Sequence, residues 1–254
     1  MMITLKTKEE IEILKEGGRR LAVILRQVAE LVKPGTETVI LDDLALGLIR
    51  QGGDDPAFLN YRPSGSRLAY PASLCVSVNE EIVHGLPGKR VLQAGDIVGL
   101  DLGLKHKGLF TDMAVTVPVG KVGREDQKLI RVAAKALEIG IGAVKPGGRV
   151  GDISVTIQRY VENEGLNVVR ELAGHGVGYA AHEDPFIPNY GRPGTGEKLK
   201  PGMVLAIEPM VTAGSGKIVL EADDFTFSTK GGEKSAHFEK TVVVTGKGSL
   251  VLTK

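Results

Sequence analysis

Four carboxylates stand where carboxylates are costly. Asp101 lies in "DIVGLDLGL", Asp112 in "LFTDMAVTV", Glu208 in "MVLAIEPM" and Glu239 in "AHFEKTVVV", each inside a run of apolar, strand-forming residues. A lone carboxylate in such a strand is strongly disfavoured unless it is paired, hydrogen-bonded or bound to a cation. Four of them ask for a shared partner. Two divalent metal ions roughly 3.5–4 Å apart, with carboxylates bridging them, would meet that demand and would support hydrolysis.

Three histidines join the candidates. His175 and His182 lie among glycines and alanines in "GHGVGYAAHEDP", and His84 lies in "VHGLP". Imidazole serves as a metal ligand or as an acid/base, and spacing alone does not separate the two uses. His106 falls in the short turn "KHKG" and reads as solvated. His237, two residues before Glu239, reads as structural or as a support for a ligand.

The carboxylates need strands to hold them. Strands over 96–104 and 109–119 flank the turn, and a loop centred between His106 and Lys107 sets Asp101 directly opposite Asp112. Their Cβ atoms would then be about 5 Å apart on one face. Like charges that close require a cation. A register shifted by an odd number of residues would break this inference.

The elements come in two sets. "VKPGTETVILDDLALGLIRQGG" from Val32 resembles "VKPGGRVGDISVTIQRYVENEG" from Val144, an offset of 112. In each, Pro-Gly ends one helix, roughly 8–31 or 125–144, and an amphipathic helix follows. Polar Thr38 against Val150 is the weak point of that match. "LQAGDIVGLDLGL" from Leu92 matches "LKPGMVLAIEPMV" from Leu199 and puts Asp101 on Glu208. "TDMAVTV" matches "FEKTVVV" and puts Asp112 on Glu239, and "VHGLP" matches "AHEDP" and puts His84 on His182. The expected organisation is one domain over 1–254, with pseudo-two-fold halves of about 1–120 and 121–254. His175 has no counterpart in this alignment.

Composition excludes several classes. With 32 basic and 31 acidic residues the net charge is +1, which gives no global electrostatic case for DNA or an anionic membrane. One cysteine, Cys75, excludes an internal disulfide and fits a reducing compartment. No apolar stretch has the length of a signal peptide core or a membrane span. The expectation is a cytoplasmic enzyme of mixed α and β structure.

Taken in order, "VHGLP", "GLDLG", "FTDMAV", "GHGVG", "HEDP", "VLAIEPM" and "HFEKT" resemble the motifs of the methionine aminopeptidases. The resemblance runs from "KTKEEIEILKEGGR" to "TVVVT". It implies the α+β pita-bread fold shared with prolidases and creatinase, a curved antiparallel sheet covered by helices, in the short type I form. It implies metal ligands Asp101, Asp112, His175, Glu208 and Glu239, with Asp112 and Glu239 between two divalent ions (Co, Mn, Fe or Zn). The implied reaction removes the N-terminal methionine from peptides and nascent proteins. Glu208 would shuttle a proton, and His84 and His182 would hydrogen-bond the substrate. Tyr70, Cys75 and Phe225 would line the methionine pocket, and Asn79 and Ser235 would hold a monovalent cation. The partner would be a peptide or nascent-chain N-terminus, near the ribosome, with the enzyme a monomer.

The chain departs from the family pattern at Ala181, where an aromatic is common, at Lys240, where histidine is common, and in a longer segment over 58–70. An Xaa-Pro peptidase and a non-catalytic binding module of the same fold are the alternative readings.

Overall fold

A computed structural model describes residues 3–62 and 68–254. The first half runs α1 (Lys8–Glu30), α2 (Thr38–Gln51), β1 (Asp55–Pro56), β2 (Leu74–Val78), β3 (Glu81–Val83), β4 (Ile97–His106) and β5 (Leu109–Pro118). The second opens with α3 (Arg124–Ala143) and α4 (Val150–Asn163). Next come β6 (Asn167–Val168), β7 (Ala173–Gly176), β8 (Glu183–Pro188), β9 (Val204–Ile207) and β10 (Met210–Thr212). The last five are β11 (Ile218–Leu220), β12 (Phe227–Thr229), β13 (Ser235–His237), β14 (Glu239–Val244) and β15 (Ser249–Val251).

Local chemistry sets the helices. Thr7 and Glu10 form a reciprocal capping box at the start of α1, satisfying two backbone amides that the helix leaves open. Leu14, Leu21, Leu25 and Val28 then line one buried face at helical spacing. Full burial of each such side chain is worth roughly 1.5–3 kcal/mol before entropy. Gly17 and Gly18 let that face approach closely: a Cβ at Gly18 would lie 2.5 Å from the Leu252 carbonyl oxygen. The helices α2 and α4 have equal lengths at the expected offset of 112. Thr38 is as buried as Val150, because its hydroxyl donates to the Gly88 carbonyl and accepts the Gly88 amide. The apparent mismatch is thus a satisfied polar group.

One large sheet carries the site, in the order β1-β4-β5-β14-β9-β7-β8, with β2 also on β4 and β15 on β14. Its strand pairs are antiparallel. The two halves meet where β5 pairs β14, Ala114 opposite Glu239. Outward from this seam lie β4 and then β2 on one side, and β9 and then β7 on the other. Helices α1 and α2 pack with β2 and β4 in one apolar cluster, and α3 and α4 pack with the second half in another. Among the described residues no helix is long and apolar enough to cross a membrane.

Two expectations are corrected. The hairpin pairs Asp101 with Ala114 and Gly103 with Asp112, so the two aspartates are diagonal and not directly opposite. The turn is Lys107-Gly108, both at positive φ (47° and 87°), as a two-residue turn that matches strand twist requires. The register therefore slips by two residues, an even number, and both carboxylates stay on one face. His106 is not solvated. It is the last residue of β4, pairs with Leu109, and is buried with Nδ1 2.7 Å from Asp54 Oδ1.

Candidate metal centre

Five adjacent strands each bring one candidate ligand. Asp101 is on β4, Asp112 on β5, Glu239 opens β14, Glu208 follows β9 directly, and His175 is on β7. All five line one cavity of about 80 Å³, together with His84, His182, Tyr70, Cys75 and Phe225. Every site residue named from the sequence for metal or substrate thus meets in one place. The monovalent pair lies outside this lining. There the Ser235 amide donates to the Asn79 carbonyl at 2.8 Å, Asn79 has φ 61°, and the buried Ser235 hydroxyl has no partner.

Donor atoms of Asp112, His175 and Glu239 lie within 4.8 Å of one another. Glu208 sits between two imidazoles, with Oε1 3.5 Å from His175 Nε2 and Oε2 3.3 Å from His237 Nε2. Asp101 Oδ1 and Glu239 Oε1 are buried with no hydrogen-bond partner among the described residues. Buried acceptors left without donors are the expected signature of a cation site.

The strand register also bears on the asymmetry expected of His175. It pairs with Ala206 as Ser77 pairs with Gly99. By the matched segments Ser77 would be the counterpart of His175, and its hydroxyl accepts the Gly85 amide at 3.1 Å.

Electrostatics fits the geometry. Burial pushes the carboxyls of Asp112 and Glu239 well above their ordinary range, and neighbouring carboxylates add to it. Burial takes Asp101 up to about 6, against the pull of His237, and raises Glu208 as well. Desolvation lowers His84 and His182 to about 4 and His175 to about 3. Burial opposes the proton on His237, but Glu208 beside it raises the imidazole above its usual value. The result is an oxygen-rich cluster in which His84, His175 and His182 are neutral, a donor set suited to divalent first-row metals.

His84 is held at φ 60°, a rare backbone state for a non-glycine residue and one that clusters at functional sites. Tyr70 donates to the Gly85 carbonyl at 2.9 Å and meets Phe225 edge-on at 5.5 Å. Phe58, Tyr61 and Val83 also line the cavity and were missed by sequence reasoning. The Tyr61 hydroxyl is 2.9 Å from His182 Nδ1. The only signal was two aromatics in "FLNY", which carries no periodicity. The longer segment over 58–70 falls partly on residues 63–67, outside the described residues. Ala181 is buried, and Lys240 turns from the cavity to donate to the Thr253 carbonyl at 2.5 Å.

Metallopeptidase family M24 matches residues 12–246 of the chain. The chain belongs to metallopeptidase family M24. Within that family it is 47% identical over 253 residues to methionine aminopeptidase 1 of Bacillus subtilis (strain 168), covering 100% of both. The crystal structure of methionine aminopeptidase from Thermotoga maritima superposes with a TM-score of 0.95 at 46% identity, covering 100% of each chain. Prolidase from Pyrococcus furiosus shares the fold, with a TM-score of 0.79 at 24% identity, over 98% of this chain and 65% of that one. The M24 fold is the pita-bread fold, α+β with an antiparallel sheet and helices over it.

Proposed function

We propose that this chain removes the N-terminal methionine from peptides and nascent proteins by hydrolysing the first peptide bond. The carrying observation is the convergence of Asp101, Asp112, His175, Glu208 and Glu239 from five neighbouring strands on one cavity, with two buried carboxylate oxygens unpartnered. These five would hold two divalent ions, Co, Mn, Fe or Zn. When bound, the ions supply Lewis acidity, which brings the pKa of a water toward neutrality.

The chain's own residues do the rest. Glu208, between His175 and His237, would accept a proton and return it to the leaving amine. His84 and His182 are neutral at pH 7 and would donate N–H groups to the peptide as charge develops. Tyr70, Cys75, Phe225 and Phe58 offer an apolar wall whose aromatic rings suit a thioether. Asn79 and Ser235 would hold a monovalent cation. The one free cysteine fits a reducing compartment, which supports action in the cytoplasm; action as a monomer on nascent chains near the ribosome is part of the same proposal. The proposed organisation is one domain over 1–254 made of two repeat-related halves.

The test is to load the protein with Co, Mn, Fe or Zn and supply Met-Ala-Ser and Ala-Pro peptides. Methionine release is expected, and its absence with all four metals sinks the reading. Asp112→Ala should abolish both turnover and stoichiometric metal. Normal turnover by that variant would remove Asp112 from the ligand set.

A further inference from the structure

Residues 177–182 connect β7 to β8, joining the strand of His175 to His182 at the cavity. Glu183 closes this loop from within. Its carboxylate accepts the backbone amides of Tyr179 and Ala180, the latter at 3.0 Å. The charge that balances it comes from far away in sequence. Lys6 Nζ lies 2.6 Å from Glu183 Oε2, and the two side chains are only 1% and 6% exposed. The Thr4 hydroxyl donates to the same oxygen at 2.6 Å. The Lys6 backbone is itself fixed, its N–H donating to the Gly202 carbonyl at 2.8 Å. The lysine stem crosses directly over Gly178, where any side chain would collide with it. Tyr179 adds a second tie, its hydroxyl donating to Glu10 of α1 at 2.8 Å.

We propose that Lys6 is a positioning residue: its buried ion pair with Glu183 sets the loop so that His182 is held toward the cavity. The inference rests on the reading of His182 as a group that contacts substrate. A buried pair is weak evidence for net stability, because desolvation offsets the attraction, but removing one partner strands the other. Without the ammonium, the Glu183 carboxylate must find water, and the loop that carries His182 must move with it. Gly176 beside it pairs with Glu183, but His175 also has holds outside the clamp, in the pairing of β7 with β9 and in its Nδ1 2.9 Å from the Gly176 carbonyl. Loss of Lys6 therefore separates metal retention from turnover, which general destabilisation would not do.

The experiment compares wild type, Lys6→Met, the double variant Lys6→Met/Glu183→Gln, and Thr4→Val. It measures methionine release from Met-Ala-Ser, bound metal, and hydrogen exchange at the Tyr179 and Ala180 amides. Lys6→Met should lower kcat at least tenfold with KM within threefold, keep its metal, and speed exchange at both amides. The double variant removes both charges yet keeps an acceptor for the loop amides, so it should recover at least a third of wild-type kcat. Thr4→Val should show a smaller loss of the same kind. The proposal is overturned if Lys6→Met stays within twofold of wild-type kcat, if its activity falls only in step with its metal, or if the double variant recovers nothing. If Lys6→Met does not fold, Thr4→Val decides, and unchanged kcat and exchange overturn the proposal. If wild type releases no methionine, the functional reading fails on its own. The exchange rates then judge the clamp alone, and equal rates in Lys6→Met and wild type would refute it.

Discussion

His84 shows how much one residue's backbone and burial determine. Its φ of 60° means that only a residue tolerant of the left-handed region can replace it without added strain, and asparagine is one. We expect His84→Asn to keep the fold and the metal while lowering kcat about 100-fold, as loss of one transition-state donor does. A steady-state measurement with KM and bound metal checks this. The same variant has a pH signature. His84 titrates near 4 in the fold because the cavity desolvates it, below its ordinary 6.5. As pH falls below about 6.5 the unfolded chain takes up the proton first, so the contribution of this imidazole to stability is lost down to about pH 4, opposite in sign to that of the raised carboxyls. His84→Asn should shift the slope of Tm against pH over that window toward greater acid stability than wild type, and an unchanged slope would show that His84 does not contribute. At this scale the sequence was informative where a residue type was out of place: carboxylates in apolar strands, histidines beside glycine. It was silent on Phe58 and Tyr61, whose presence in the cavity depends on where a loop lands. It misled at His106, which looks like a turn residue until Asp54 is brought against it by the fold.

Elements were legible through period and offset, and their limits lay in turns. Helices α1 and α3 match their expected spans to within a residue or so, because caps and apolar spacing are local. The hairpin register was off by two because the choice of turn rests on Lys107 accepting a positive φ, a cost that composition does not display. Only the evenness of the slip preserved the inference that both aspartates share a face. Helix glycines make a similar point, since Gly18 in α1 and Gly47 in α2 look alike in sequence. A Cβ at Gly18 would press on the Leu252 carbonyl at 2.5 Å, whereas one at Gly47 would meet nothing within 4 Å. Gly18→Ala should therefore destabilise by about 1–3 kcal/mol through overpacking. Gly47→Ala should stabilise by about 0.4–1 kcal/mol by restricting the unfolded chain. Urea midpoints of the two variants check both signs, and equal shifts would contradict the packing at α1.

Across the whole molecule the two halves share one electrostatic problem. Burial raises Asp101 to about 6 and lifts Asp112, Glu208 and Glu239 as well. With no metal bound, a raised folded value means that the fold gains from protonation at low pH and loses that gain as pH rises through the folded value. Metal ions held by these carboxylates, as proposed, would take the place of those protons, so their binding would compete with protons at low pH. The rise in Tm on metal loading should be larger at pH 8 than at pH 5.5. Equal rises, measured by scanning calorimetry on loaded and chelator-treated protein, would mean that these carboxyls do not surround the ions. The matched segments put Asp101 with Glu208 and Asp112 with Glu239, and all four line the one cavity. The seam itself was not legible from sequence, because which strands adjoin is a property of the closed sheet. That seam has a consequence in time. Asp112 and Glu239 are 127 positions apart in sequence, and each half contributes only two of the four carboxylates. Contacts so distant along the chain are slow to form because loop closure must precede any reward. A nascent copy of this chain therefore has no complete site until β14 is synthesised and docks on β5, and tight metal uptake would mark the last step of its folding.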